Sequence, residues 1–328
     1  MPRTAFVTGA SGFVGANVVR ALLDDGWSVR ALARATAPSL DGLPIERVTG
    51  DVFSPALTSA MAGCDAVFHL AAHYSLWHRD RQEIARTNVL GTRNVLAAAR
   101  AAHVPRVVHT SSVAAIGVRS DGKPADETYQ SPRDALVGAY KRSKYDAESE
   151  VREAVAAGLD VVIVNPTTPV GPWDAKPTPT GEIIVRFLSG RMPAYVDTGL
   201  NLVDVAEVAA GHLAAYARGL TGERYILGNQ NLTLRAFLEQ LSALTGRPAP
   251  RLRLPRFVPL AYAALGEFVL APVGFRPDVS YESVRMSRQM MYYDATKATQ
   301  ALAVPHRPLV PALSAAVAWF KQHGYASA

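Results

Sequence analysis

The stretch Thr4-Ala5-Phe6-Val7-Thr8-Gly9-Ala10-Ser11-Gly12-Phe13-Val14-Gly15-Ala16-Asn17-Val18-Val19-Arg20 decides the fold. Thr4–Thr8 is apolar and β-branched enough to read as a buried strand. From Val14 the apolar residues recur at helical spacing up to Asp25 and stop at Gly26, which predicts a helix. Between the two stand Gly9, Gly12 and Gly15. Gly9 permits a tight turn, Gly12 leaves the backbone bare to an approaching pyrophosphate, and Gly15 lets the helix lie close to the strand. The first turn of such a helix offers free N–H groups and the positive end of its dipole to phosphate. A glycine triplet alone says little, but a strand before it and a helix after it define a dinucleotide cradle. Gly9, Ser11, Gly12, Phe13, Val14 and Gly15 are its candidate cofactor contacts.

The pattern continues outward from this unit. Ser28–Ala33, Ile45–Thr49, Ala66–Leu70, Arg106–Ser111 and Asp160–Val164 read as further buried strands, with long helices over Asn88–Ala102 and Ala139–Ala157. Apolar strands alternating with helices mean a parallel sheet covered on both faces, a doubly wound α/β (Rossmann) architecture. After Asn165 the texture changes. Pro166, Pro169, Pro172, Pro177 and Pro179 argue against regular helix or central strand there. Short elements follow: strands at Tyr225–Leu227 and Arg251–Leu254, and helices at Thr233–Thr245, Arg256–Leu270 and Pro311–His323. The expected division is a dinucleotide-binding domain over 1–168 and a smaller, mainly substrate-binding lobe over 169–328, some of whose segments return to the first core.

With 328 residues, 49% hydrophobic and 19% charged, the chain has the composition of a globular protein with a large core. A single cysteine, Cys64, excludes an internal disulfide framework and fits a reducing cytoplasm. Next to Gly63 and an apolar strand it reads as a packed residue rather than a nucleophile. The net charge of +6 suits an anionic partner, either a polyphosphate cofactor or an acidic membrane surface. Nucleic acid is not expected, because the Lys and Arg residues form no stripe. No targeting segment is read at the N-terminus. The longest apolar stretch, Phe257–Val273, is interrupted by Pro259, Glu267 and Pro272 and is too short to span a bilayer. A cytoplasmic protein is expected.

Two further features carry chemistry. The second strand ends in Val29-Arg30-Ala31-Leu32-Ala33-Arg34, with no acidic residue where a ribose 2′-hydroxyl would be read; Asp24 and Asp25 precede it and Asp41 lies well beyond. Arg34 stands in that place, and its planar fork suits a 2′-phosphate, so NADP is expected ahead of NAD. Tyr140-Lys141-Arg142-Ser143-Lys144 sets a phenol and an ammonium four residues apart on one helix face. A neighbouring cation favours phenolate and is expected to lower the tyrosine pKa. Tyr140 would then exchange a proton with a substrate oxygen while hydride passes to or from nicotinamide, and Lys144 would reach the nicotinamide ribose. Thr110-Ser111-Ser112, at the end of a central strand and ahead of Gly117, supplies a hydroxyl for the same oxygen.

Taken together, Gly9-x-x-Gly12-x-x-Gly15, the serine strand end and Tyr140-x-x-x-Lys144 resemble the short-chain dehydrogenase/reductase superfamily in its extended branch of epimerases, dehydratases and reductases. The resemblance covers the chain, most closely to about residue 170. It implies that Ser112, five residues before Gly117, is the catalytic serine, leaving Ser111 to cap or pack. Asn88, in Thr87-Asn88-Val89-x-Gly91, would prop up the active site, a helix N-cap being the other reading. Asp51-Val52 would contact adenine, and Leu70-Ala71-Ala72 would form the small-residue turn beside the cofactor. Asn165-Pro166-Thr167 would be the turn whose backbone holds the nicotinamide amide. A homodimer by two-fold helix pairing is also implied.

Val29–Arg34 and His69-Leu70-Ala71-Ala72-His73-Tyr74-Ser75-Leu76-Trp77 are most similar to dihydroflavonol-4-reductase-like reductases and to the hopanoid-associated sugar epimerase group. The latter is also matched by Gly211-His212-Leu213 and Gly222–Gly228. Relatives that act on nucleotide-diphosphate sugars carry an arginine where Leu200-Asn201-Leu202-Val203-Asp204-Val205 has Leu200, and a leucine cannot pair with a diphosphate. Arg276, Arg285 and Arg288 are substitutes or plain surface residues. The reading is therefore NADPH-dependent reduction of a lipid-linked or sugar-derived aldehyde or ketone, in hopanoid side-chain synthesis if the resemblance extends that far. An epimerase that retains its nucleotide is the alternative, and a non-catalytic dinucleotide sensor the third. His73, Trp77 and His78 are candidate substrate contacts, and no metal is expected. Phe257, Val258, Leu260, Tyr262, Leu265, Phe268 and Leu270, beside Arg251, Arg253 and Arg256, line either a lipid-facing groove or an ordinary core helix.

Overall fold

The computed structural model describes residues 2–34, 36–255, 257–270 and 280–326, the side chains of His78 and of 268–270 excepted. Arg256, Arg276 and the side chains of His78, Phe268 and Leu270 lie outside the described residues. Six strands come first: β1 Thr4–Thr8, β2 Ser28–Ala33, β3 Glu46–Thr49, β4 Ala66–His69, β5 Arg106–Thr110 and β6 Val161–Pro166. Beyond them follow β7 Thr168–Val170, β8 Ala194–Tyr195, β9 Gly199–Asp204, β10 Arg224–Leu227, β11 Gln230–Thr233, β12 Leu252–Arg253 and β13 Met290–Met291.

A seven-stranded sheet runs in the order β10-β6-β5-β4-β1-β2-β3, with every pairing parallel. β4 and β6 are buried at every residue, as a sheet covered on both sides requires. On one face Val7, Phe68, Val108 and Val162 pack with Val18, Val19 and Leu22 of the Phe13–Asp24 helix and with Val208 and Ala209 of the Val205–Arg218 helix. On the other, Phe6, Val67, Val107 and Val161 pack with Val95 and Ala99 of the Gly91–Ala101 helix and Val151 of the Ala139–Ala156 helix. The doubly wound α/β expectation holds. Because β1 lies between β2 and β4, the chain leaves β1 and β4 in opposite directions, which opens a crevice at their carboxyl ends.

A second apolar cluster joins Ile184, Phe187 and Leu188 to Phe237, Leu241, Leu313 and Phe320. Its small sheet orders β11-β9-β13, with β7 also on β9. The proline-rich stretch is more regular than its composition suggests. Pro169 sits in β7, which among the described residues pairs only with β9 and so leaves an edge for a residue without an N–H. Pro179 opens the Pro179–Leu188 helix at its first position, where no donor is lost, and Thr178 caps it. Among the described residues no helix is long and apolar enough to cross a membrane, and no three His, Cys, Asp or Glu side chains gather into a metal-binding group.

Candidate active site

The glycine turn is built as its spacing demands. Gly9 has φ +67°, a conformation L side chains rarely adopt, and a Cβ there would lie 2.6 Å from the Ala71 nitrogen. A Cβ on Gly15 would fall 2.1 Å from the Gly9 carbonyl oxygen. Gly12 is different: the nearest atom to a Cβ there is the Gly9 oxygen at 3.3 Å, and the residue is exposed. No side chain caps the helix that Gly12 opens, and no acidic residue stands in its first turn. The bare backbone and uncapped N–H groups suit a pyrophosphate. Ser11 is held by its carbonyl, which accepts a hydrogen bond from Ser39 Oγ at 2.9 Å.

Across the crevice, Leu70, Ala71 and Ala72 follow β4, and the Ala71 N–H donates to Thr8 Oγ1 at 3.2 Å. Arg34 is exposed just past β2. Asp51 forms a turn, its Oδ1 accepting from the Phe53 N–H at 2.8 Å, while Val52 packs beneath Gly91. These residues line the sheet's carboxyl edge on both sides of the glycine turn.

Asn88 is not an N-cap. It sits in a π-helical turn, Arg86–Leu90, between the Arg81–Ala85 and Gly91–Ala101 helices, an irregularity often found at functional positions. Its Oδ1 accepts the His73 N–H at 2.7 Å, and its Nδ2 donates to the His73 carbonyl at 3.0 Å and to Ser143 Oγ at 2.9 Å. Ser143 in turn donates to the Tyr140 carbonyl at 2.7 Å. One amide thus fastens the loop after β4 to the helix that carries Tyr140 and Lys144.

Tyr140, Lys144 and Ser112 meet at the end of β5. Ser112 hydrogen-bonds the Tyr140 phenol. Lys144 donates from Nζ to the Thr110 carbonyl at 3.0 Å and is buried. One expectation is corrected. Burial pushes the Tyr140 phenol up, to about 12, and the Ser112 hydrogen bond opposes this only in part. Desolvation dominates, and the phenol is held protonated. Of the two readings for Ser111, packing holds: it is buried and donates to Glu148 Oε1 at 2.6 Å, while the cap is Ser112, which accepts the Ala114 N–H at 3.2 Å.

A second correction concerns Asn165 and Pro166, which belong to β6 itself, so the turn begins only at Thr167. Thr167 donates from N and Oγ1 to the Leu227 carbonyl at 3.0 and 3.3 Å. Asn165 is fully buried and donates from Nδ2 to Glu148 Oε1 at 2.8 Å and to the Ser112 carbonyl at 3.0 Å. Parallel pairing with Leu227 of β10 holds the strand through Pro166.

Two residues were missed from sequence. Glu148, one turn after Lys144, is 1% exposed, and its carboxylate joins Ser111, Asn165 and Arg224 Nη1, the last at 3.4 Å. Burial brings the Lys144 ammonium down to about 8, and the Glu148 charge opposes that fall. The signal was an acid four residues after Lys144 on the same helix face. Tyr74 was passed over for His73 and Trp77. Its ring stands edge-on to Tyr140 with centroids 4.4 Å apart. His73 is pinned through its backbone, and Trp77 lies in the same loop, its N–H donating to Ser75 Oγ at 3.1 Å. A cavity of about 620 Å³ opens elsewhere, along β10, where Arg224 is paired with Glu148 and Lys297 with Glu223.

A Rossmann sheet with a Tyr-x-x-x-Lys helix and a serine at a central strand end defines an NAD(P)-dependent enzyme of the short-chain dehydrogenase/reductase type. The NAD dependent epimerase/dehydratase family model matches residues 5–228, and the chain belongs to that family. It is 57% identical over 326 residues to a Synechocystis protein provisionally named dihydroflavonol 4-reductase, covering 98% of this chain and 95% of that one. It is 37% identical over 330 residues to sterol demethylase protein B of Methylococcus capsulatus, covering 98% and 99% of the two chains. The crystal structure of gox2253 superposes with a TM-score of 0.87 at 42% identity, covering 99% of each chain.

Proposed function

We propose that the protein reduces a ketone or aldehyde on a small, largely apolar molecule at the expense of NADPH. The observation that carries this reading is the Tyr140 phenol, held protonated at up to about 12 and hydrogen-bonded to Ser112 beside an open dinucleotide crevice. A protonated phenol is a proton donor, which is what a carbonyl oxygen needs as hydride arrives at its carbon. That hydride would come from the nicotinamide of a bound NADPH. Gly12 and the uncapped helix after it hold the pyrophosphate, with Gly9 and Gly15 shaping the turn. Arg34 takes the 2′-phosphate, and Asp51, Val52 and the Leu70-Ala71-Ala72 turn flank the dinucleotide. Ser112 polarises the substrate oxygen. Tyr140 protonates it, and the Lys144 ammonium balances the phenolate left behind. Asn88 and Asn165 position these groups, and the turn at Thr167 would hold the nicotinamide amide through its backbone.

Dihydroflavonol reduction and sterol demethylation, in the names of two relatives, both concern polycyclic ring systems. That supports a polycyclic or lipid-derived ketone here. Leu200 packs against the second apolar cluster and offers no charge to a diphosphate, which speaks against a diphosphate seat at that position.

Purified protein incubated with NADPH or NADH and a panel of cyclic and lipid-derived ketones tests the reading. The expected result is stoichiometric NADPH oxidation that falls ~100-fold or more in Tyr140→Phe, the usual scale of lost acid catalysis, while NADPH binding persists. Interconversion of a sugar nucleotide without net cofactor use would overturn it in favour of an epimerase.

A further inference from the structure

Nine large apolar side chains are exposed among the described residues, and five of them, Leu252, Phe257, Val258, Tyr262 and Leu265, fall in one short segment. Four lie on the Phe257–Ala264 helix and the π-helical turn that continues it. With Ala261, also exposed, Phe257, Val258, Tyr262 and Leu265 recur at the spacing of a single helix face, and Phe257 is 70% exposed. The opposite face carries Ala263, Gly266 and Glu267, all buried. Glu267 accepts the Tyr281 N–H at 2.8 Å, which ties this inner face to the Tyr281–Met286 helix. The usual arrangement is inverted: small and ionisable residues face inward and a continuous apolar stripe faces out.

The geometry points to an anionic bilayer surface as what covers this stripe. The stripe carries no charge, and its one polar group is the Tyr262 hydroxyl, on a residue type that favours the membrane–water boundary. Arg251 and Arg253, both exposed, lie immediately ahead of it; Arg253 also pairs with Asp197 at 2.8 Å. With a chain charge of +6, these residues would sit at the headgroup level once the stripe is immersed. A second copy of the chain fits less well, since two-fold self-pairing would bring like-charged arginines around one seam.

The stripe is also close to the chemistry. From the Tyr281–Met286 helix, the Glu282 carboxylate accepts the Ala139 N–H at the start of the helix that carries Tyr140. Docking would turn the crevice mouth toward the apolar phase and admit a lipid ketone laterally. The docking itself does not rest on the reductase reading, because it is read without turnover.

The experiment is co-sedimentation of the full chain with sonicated vesicles of phosphatidylcholine alone or mixed with phosphatidylglycerol. The expected result is binding to the mixed vesicles, weaker binding to the neutral ones, and a loss of roughly tenfold or more in partitioning for Phe257→Ser/Leu265→Ser. The variant's melting temperature should stay unchanged, since both side chains are already in water. Wild-type protein that stays in the supernatant with mixed vesicles, or a double variant that still binds, overturns the proposal. So does light scattering that shows a wild-type dimer broken into monomers by the double variant, which would make the stripe an interface between copies.

Discussion

Glu148 shows how one buried carboxylate ties the site together. Its oxygens join Ser111, Asn165 and Arg224, and through Asn165 it also steadies the Ser112 carbonyl. Its charge also supports Lys144, whose ammonium burial brings down to about 8. On the proposed mechanism the ammonium balances the phenolate, so activity should fall as pH rises through about 8 and Lys144 loses its proton. Glu148→Gln keeps the shape and most of the hydrogen bonding but removes the charge that opposes this loss. Lys144 then deprotonates at lower pH, and the alkaline limb of kcat/KM should move down by about 1 pH unit, the usual scale for losing an adjacent opposite charge. A profile that stays in place would show that Glu148 only packs. Tyr140 and Lys144 were legible as candidates because a phenol and an ammonium four residues apart share one helix face. Glu148 was passed over because an acid on an amphipathic helix looks solvated until the fold turns that face to the core.

At the level of elements, strands made of short, largely apolar runs set off by turns were legible: β1, β2, β5 and β10 appear within a residue or two of their expected bounds. Of the strands in the lobe, β12 was read within Arg251–Leu254, but β7, β8, β9, β11 and β13 were not. β9, Gly-Leu-Asn-Leu-Val-Asp, alternates weakly, and the Val205–Arg218 helix follows it with no break beyond its Asp204 cap. Local pattern cannot separate a strand from a helix where the two abut without a glycine or proline. The π turn at Asn88 was equally hidden, since one extra residue in a helix leaves no mark on composition. Tertiary context also explains the start of the Ala139–Ala156 helix. It has no side-chain cap of its own, and Gly138, at φ +93°, leaves room for the Glu282 carboxylate. This is a helix capped from the lobe. Glu282→Ala should lower stability by about 0.5–2 kcal/mol, the range for a lost cap. It should also lower kcat, because the first turn of this helix carries Tyr140. A thermal melt beside a kinetic assay checks both, and an unchanged kcat would mean that the cap serves stability alone.

Across the whole molecule, the cradle depends on chain that comes late. β10 pairs with β6 and closes the sheet on that side, and the Val205–Arg218 helix lies over the same face as the helix that Gly12 opens. Val203, Val208, Leu227, Leu302 and Val304 all belong to the cluster that contains β1. Burying a Val or Leu side chain is worth roughly 1.5–3 kcal/mol, so these five together rival the net stability of a typical domain, about 5–15 kcal/mol. A fragment of residues 1–168 keeps the glycine turn, Tyr140, Lys144 and Ser112, yet loses all five and bares the edge of β6, which invites pairing with other chains. The expected outcome is a fragment that aggregates or gives no cooperative melt, whether or not NADPH is added. Circular dichroism and gel filtration against the full chain decide it. A monomeric fragment that melts cooperatively and binds NADPH would show that the first 168 residues carry their own core, and that the late segments act only on substrate.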